Sequence, residues 1–186
     1  MAKQTTWGNL FEKVSINHID AGRDSVSSYV EERSLRNEKT LCVGALRSYG
    51  DSALGEQSFS LTGGPKLELD YESGVLSVPG HLSFNTINEL TFPHGWALPV
   101  TPGTGFVTIA GAIANDVHGK NHIGQGNFGR HVIGIELYRS DRGLLWLTPQ
   151  DYLFQLSVGG LGLTGIILSV KVQLMRVPGE YLSAET

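Results

Sequence analysis

Cysteine is nearly absent: Cys42 is the only one in 186 residues, so no disulfide can close within the chain, and such usage suits a reducing compartment. No apolar run approaches the ~20 residues that a membrane helix needs. The opening residues, MAKQTTWGNLFEKV, lack the apolar core of a secretory signal. These absences predict a cytoplasmic protein, with any membrane contact peripheral. Charge is also thin. Charged side chains make up 17% of the chain, the formal net charge is -4, and no cluster of lysine or arginine breaks the pattern, which argues against a nucleic-acid surface. Glycine, by contrast, is abundant: 24 residues where average usage of ~7% would give about half as many. A hydrophobic share of 40% and a mean hydropathy of -0.05 belong to a globular chain, and the length fits one domain or two small subdomains sharing a core.

Along the chain, residues 10–19 alternate loosely and predict a first strand. Asp24 reads as the N-cap of a helix to about Asn37, with Val26, Tyr29, Val30 and Leu35 as its buried stripe. The apolar run 40–46 reads as a buried strand completing a βαβ unit, and it leads into the polar turn 47–52. Ligands favour that end of a strand in open α/β sheets. From Ser58 the texture predicts antiparallel strands, with turns at 63–65 and 72–74. Ser83 can cap a helix to about Thr91 that buries Phe84, Ile87 and Leu90, and the run 92–95 ends it. Residues 96–100 are extended, 132–138 and 144–147 form a hairpin, 151–156 a short helix and 166–175 a strand. A second glycine-rich loop occupies 159–165, and 177–179 reads as the entry to a linker.

The densest chemistry lies in 101–135, which holds eight glycines and three charged side chains, Asp116, Lys120 and Arg130. Glycine lets backbone approach a ligand or another strand closely. The apolar run 106–114 gives way to Asn115, Asp116, His118, Lys120, Asn121 and His122, so a buried element delivers polar side chains to a cavity edge. Neither arginine nor lysine occurs in 101–119. A pyrophosphate held here would need backbone N–H groups and the hydroxyls of Thr101, Thr104 and Thr108. The competing reading is that the glycines only permit tight turns between crowded strands. The dinucleotide fingerprint fails after Gly103 and Gly105, because its third glycine is missing, and Gly119-Lys120 is no phosphate loop. His118 and His122, four apart, could share a metal in a hydrolase, though Gly119 between them weakens a helix and the zinc-protease glutamate is missing. The prediction is of no metal. As alternatives, His118 is a hydrogen-bonded core histidine, or a general base, since an imidazole titrates near neutral pH.

Three blocks together resemble the PCMH-type FAD-binding domain of the vanillyl-alcohol oxidase superfamily, and within it the FAD-linked sugar and alditol oxidases of the decaprenylphosphoryl-ribose oxidase group. They are GALRSYGD at 44–51, then PGT at 102–104 with GAIANDVHGKNH at 111–122, then the run 159–167. Order and spacing hold across about 41–175, and the block ending in HGKNH is the most specific. The resemblance implies that Cys42, Val43, Gly44, Ala45, Leu46, Arg47, Ser48, Tyr49, Gly50, Asp51 and Ser52 wrap the FAD pyrophosphate and flank the flavin. Gly103, Thr104, Thr108, Ile109, Ala110, Gly111, Asn115, Asp116, Val117 and His118 would line the diphosphate and ring. Ile166 would meet the adenine end through its backbone, while His118 and Lys120 would face the substrate.

Tyr49 stands where many relatives carry a flavin-linking histidine, which implies a non-covalent cofactor. Ala110 stands where glycine is common, and Asn115 where the ribose-oxidase group has cysteine, which implies a weaker fit rather than lost binding. The implied fold is α+β: a small βαβ subdomain over about 1–60 packs on a larger, mostly antiparallel sheet over about 61–177, with 178–186 as a tail. The implied activity is oxidation of an alcohol carbon of a sugar or polyol by hydride transfer to flavin. The alternative is a flavin-binding or structural module without turnover. Relatives continue into a substrate domain, so the chain reads as a fragment or truncated homologue that binds flavin weakly and does not turn over alone.

Overall fold

The computed structural model describes residues 2–4, 14–49, 53 and 57–178. Its first sheet is built around a short parallel core. β1 (Ala2–Gln4) pairs antiparallel with β2 (Val14–Asp20), the predicted first strand; residues 10–13 of that prediction lie outside the described residues. Helix α1 (Arg23–Leu35) follows, and then β3 (Leu41–Cys42) and β4 (Ser58–Thr62) complete the order β1-β2-β4-β3. β4 runs parallel to both β2 and β3.

Four sequence expectations change here. The cap of α1 is Gly22, whose N–H donates to Asp20 Oδ1 at 2.8 Å, and Asp24 sits inside the first turn. The buried edge of α1 is Val26, with Tyr29 and Val30 half-buried. Leu35 is 89% exposed, because nine residues beyond Val26 at 100° each place it on the opposite face. The run 40–46 is a strand for only two residues. Val43 still donates to the Phe59 carbonyl at 2.8 Å, but the chain then turns away and Leu46 adopts a left-handed φ of 54°. Finally, 58–62 belongs to this parallel sheet, so the antiparallel region begins later.

The second sheet has the order β5-β6-β10-β8-β9, antiparallel throughout. Its strands are β5 (Glu68–Leu69), β6 (Val75–Pro79), β8 (Val132–Arg139), β9 (Gly143–Leu147) and β10 (Ile166–Gln173), so the predicted hairpin is β8–β9. A third pairing joins β7 (Trp96–Ala97) to β11 (Met175–Arg176), which divides the predicted strand 166–175 at Leu174. Helices α2 (Phe84–Thr91), α3 (Ile109–Ala114), α4 (His122–Gln125) and α5 (Tyr152–Ser157) complete the chain. Ser83 caps α2 as expected, its hydroxyl accepting from the Thr86 N–H at 3.1 Å. Phe84, Ile87 and Thr91 bury at i, i+3 and i+7, which leaves Leu90 at the stripe's margin and half exposed.

The main core packs α2 and α3 on the second sheet, and its Phe84 and Phe128 rings lie 5.0 Å apart. Burying such a side chain contributes roughly 1.5–3 kcal/mol. A smaller cluster joins the two sheets: Val26 of α1, Phe59 and Leu61 of β4, Tyr138 of β8 and Leu168 of β10. The Arg23–Glu136 ion pair crosses the same seam.

Candidate functional site

α3 is held at both ends in a way that shapes a cavity beside it. The Thr108 hydroxyl caps it, accepting from Gly111 N–H at 3.1 Å. Ile109 N–H donates to Leu82 O and Ala110 N–H to Gly80 O, both at 2.9 Å. Every first-turn amide of the helix therefore has a partner, and the helix start offers no free donor to an anion. Beyond its other end, the second glycine-rich loop folds back: Gly159 donates to Ile113 O at 2.9 Å and Leu161 to Ala114 O at 2.8 Å. Leu161 at φ 54° and Gly162 at φ 76° make that turn.

Between this helix, its two flanking loops and the first sheet lies a cavity of about 580 Å³. That size falls within the ~300–1,000 Å³ usual for small-molecule and cofactor sites. Cys42, Val43, Gly44, Ala45, Leu46, Arg47, Ser48 and Tyr49 form one wall. Gly103, Thr104, Thr108, Ala110, Gly111, Asn115, Val117 and Ile166 face it. The structure thus gathers most of the residues singled out in the sequence around one space. Gly50, Asp51 and Ser52 lie outside the described residues.

Five other named residues do not line it. Ile109 is fully buried on the core side of α3. The Asp116 carboxylate turns away and accepts from Asn127 Nδ2 at 2.8 Å and from Gly129 N–H at 3.0 Å. His118 and Lys120 are exposed one and three residues beyond Val117, and the His118 ring meets the His122 ring edge-on at 5.4 Å. Thr101 also faces solvent. Among the described residues, no three His, Cys, Asp or Glu side chains gather in a group that could hold a metal ion.

The wall also takes residues to which the resemblance gives no role: Leu61, Gly80, His81, Pro102, Val107, Ala114, Leu161, Gly162, Gly165 and Ile167. Gly80 and Gly165 admit the backbone closely. A Cβ on Gly165 would lie 2.7 Å from the Tyr138 carbonyl, and one on Gly80 3.1 Å from the Ala110 Cβ. Ala110 sits in right-handed helix, so its methyl group strains nothing.

The donor set fits an anionic dinucleotide. No aspartate or glutamate lines the cavity among the described residues, and Arg47 lies in its wall with its guanidinium 5.7 Å from the Phe106 ring centre. The N–H groups of Gly44, Ala45 and Leu46 make no backbone hydrogen bond among the described residues, and the left-handed turn at Leu46 is the kind of kink that makes successive amides converge. Leucine pays for that conformation with roughly 1–2 kcal/mol, a cost tolerated where surrounding structure holds it. Apolar side chains on both sides suit flat rings. Burial pushes the Cys42 thiol up to about 12, so it stays protonated. Burial also lowers the His81 imidazole, with Asp20 opposing the shift, which favours the neutral ring.

Residues 22–148 match the family described as FAD binding domain. Over 146 residues the chain is 37% identical to decaprenylphosphoryl-beta-D-ribose oxidase of Mycolicibacterium smegmatis, covering 75% of this chain and 32% of that protein. It is 40% identical over 96 residues to an uncharacterized protein in the mprA 5' region of Streptomyces coelicolor, covering 52% of this chain and 26% of that one. Among solved structures, an alkyldihydroxyacetonephosphate synthase superposes with a TM-score of 0.76 at 15% identity, covering 87% of this chain and 32% of the synthase. The chain thus spans about a third or less of the length of the curated relatives it matches. The fold is that of the PCMH-type flavoproteins, and the chain belongs to the FAD binding domain family.

Proposed function

We propose that this chain is the FAD-holding part of an oxidoreductase that oxidises an alcohol carbon of a sugar or polyol. The observation that carries the reading is the cavity itself: among the described residues the amides at 44–46 make no backbone hydrogen bond, no carboxylate lines the space, and apolar walls stand beside α3. The 37% identity to a protein named as a ribose oxidase points to a sugar-like substrate. Bound FAD supplies the hydride acceptor. Gly44, Ala45, Leu46 and Arg47 hold the pyrophosphate, with the hydroxyls of Thr104 and Thr108 opposite. Tyr49 takes the place of a linking histidine and the Cys42 thiol stays protonated, so attachment is non-covalent. With FAD bound, His118 and Lys120, exposed just beyond the wall residue Val117, would meet a substrate outside the cavity, His118 taking the proton of its hydroxyl and Lys120 holding its oxygen. The two subdomains proposed, about 1–60 and about 61–177, follow the two sheets, the first of which runs on to Thr62.

The test is the visible spectrum of purified protein before and after adding FAD, with acid precipitation, followed by anaerobic mixing with sugars and polyols. Flavin bands that leave with the supernatant support the site and the non-covalent attachment; colour in the pellet overturns the role of Tyr49. Bleaching by a sugar or polyol supports the oxidoreductase reading. Flavin that binds but never bleaches favours a binding module. Where bleaching occurs, His118→Ala is expected to slow it by about 10²-fold or more. An unchanged rate removes His118 from the chemistry.

A further inference from the structure

His81 enters the cavity wall through no recognisable motif. It follows β6 in the sequence PGHLS, and the turn is fixed by its neighbours: Gly80 N–H donates to Leu168 O at 2.8 Å, and Gly80 O accepts from Ala110. Leu61 of β4, Gly165, and Ile166 and Ile167 of β10 line the same cavity, while the Asp20 carboxylate is the charged group close enough to act on the ring. Its ring is half-buried, and Nδ1 is sealed from solvent without a partner among the described residues. No hydrogen bond occupies Nε2 there either, and that nitrogen is not sealed, so it is the polar atom the ring can offer to the cavity. A half-buried imidazole whose sealed nitrogen has no partner costs free energy unless something uses the ring.

The two ends of the cavity differ in access. Tyr49, a wall residue that is 89% exposed, marks an open end. His81 directly follows β6, in the wall that the β6–β10 pairing builds, so its end is the more enclosed one. A ring that exchanges hydride with a substrate must sit where substrate can reach it. Resting on the FAD reading above, we propose that His81 is a specificity-determining residue for the adenosine half of the cofactor, its Nε2 hydrogen-bonding a ribose hydroxyl or an adenine nitrogen at the closed end. A neutral imidazole can serve as donor or acceptor in that contact, according to tautomer.

The experiment titrates the chain, His81→Phe and His81→Gln with FAD by flavin fluorescence, and with ADP and FMN by competition. His81→Phe keeps a ring in the slot and removes both nitrogens. It is expected to raise the Kd for FAD and for ADP by the same factor, roughly 2- to 10-fold for one net hydrogen bond, with FMN unaffected. His81→Gln restores a polar atom and recovers part of the loss. The thermal midpoint without nucleotide shows that both variants fold. Unchanged FAD and ADP binding in His81→Phe overturns the proposal, and so does an equal loss for FMN, which would place the flavin at this end. A wild-type chain that binds FAD but is never reduced ends the redox reading while the ADP contrast still decides the role of His81. A chain that binds neither FAD nor ADP overturns both.

Discussion

A single buried thiol gives a direct readout of how closed the first wall is. Cys42 pairs with Phe59 at the end of β3 and faces the cavity, and burial pushes its thiol up to about 12. In the unfolded chain a cysteine titrates near 8.5. Above that pH the unfolded state loses a proton that the folded state keeps, so stability falls as pH rises. The slope from this one group approaches 1.4 kcal/mol per pH unit between about 9 and 12. Below about pH 8 the thiol is neutral in both states and contributes no pH dependence. Urea unfolding of wild type and Cys42→Ala at pH 8, 9 and 10 measures it. The wild type is expected to lose stability faster than the variant above pH 9, and parallel curves would show that the thiol ionises freely.

Elements whose signals are local follow the sequence closely. Ser83 shows why: its hydroxyl accepts from Thr86 N–H at 3.1 Å, and no other residue can cap α2. Ser83→Ala is expected to cost ~1 kcal/mol in chemical denaturation. FAD affinity should change little, because Ser83 is not a wall residue, and a loss below ~0.3 kcal/mol would mean water replaces the cap. The β8–β9 hairpin and α5 were legible for the same reason, since Gly143 at φ 68° and Asp151 accepting from Thr148 N–H at 2.7 Å are short-range devices. Pairing direction was not legible. β4 reads as a short alternating strand whichever way its partners run, because the alternation that buries Phe59 and Leu61 is the same in either direction, and its parallel pairing with β2 and β3 is set by distant parts of the chain. The cavity was legible where glycines and hydroxyls crowd together, at 44–49 and 103–111. His81 was not, because a strand end carries no local mark of the sheet neighbour, β10, that turns it toward a cavity.

At the scale of the molecule, the cavity takes its walls from both sheets, so the seam between them should govern cofactor binding. Phe59 is the centre of that seam, fully buried, with its ring 4.9 Å from that of Tyr29 and with Tyr138 and Leu168 beyond. Phe59→Ala is expected to cost about 3–5 kcal/mol. Leu61 is two residues along the same strand, and Cys42 is paired with Phe59 itself, so loosening the seam displaces one wall relative to α3. Leu76→Ala supplies the control: it removes a fully buried side chain from the second sheet at the end of β6 away from Gly80, for about 2–5 kcal/mol. Both variants are titrated with FAD at a temperature where each is folded. Phe59→Ala should lose affinity and Leu76→Ala should not. FAD at 100 times its Kd adds about 2.7 kcal/mol to a protein that binds it only when folded, so the stabilisation on saturation should shrink for Phe59→Ala alone. Equal losses in the two variants would mean that binding follows global stability, and that the seam has no special hold on the site.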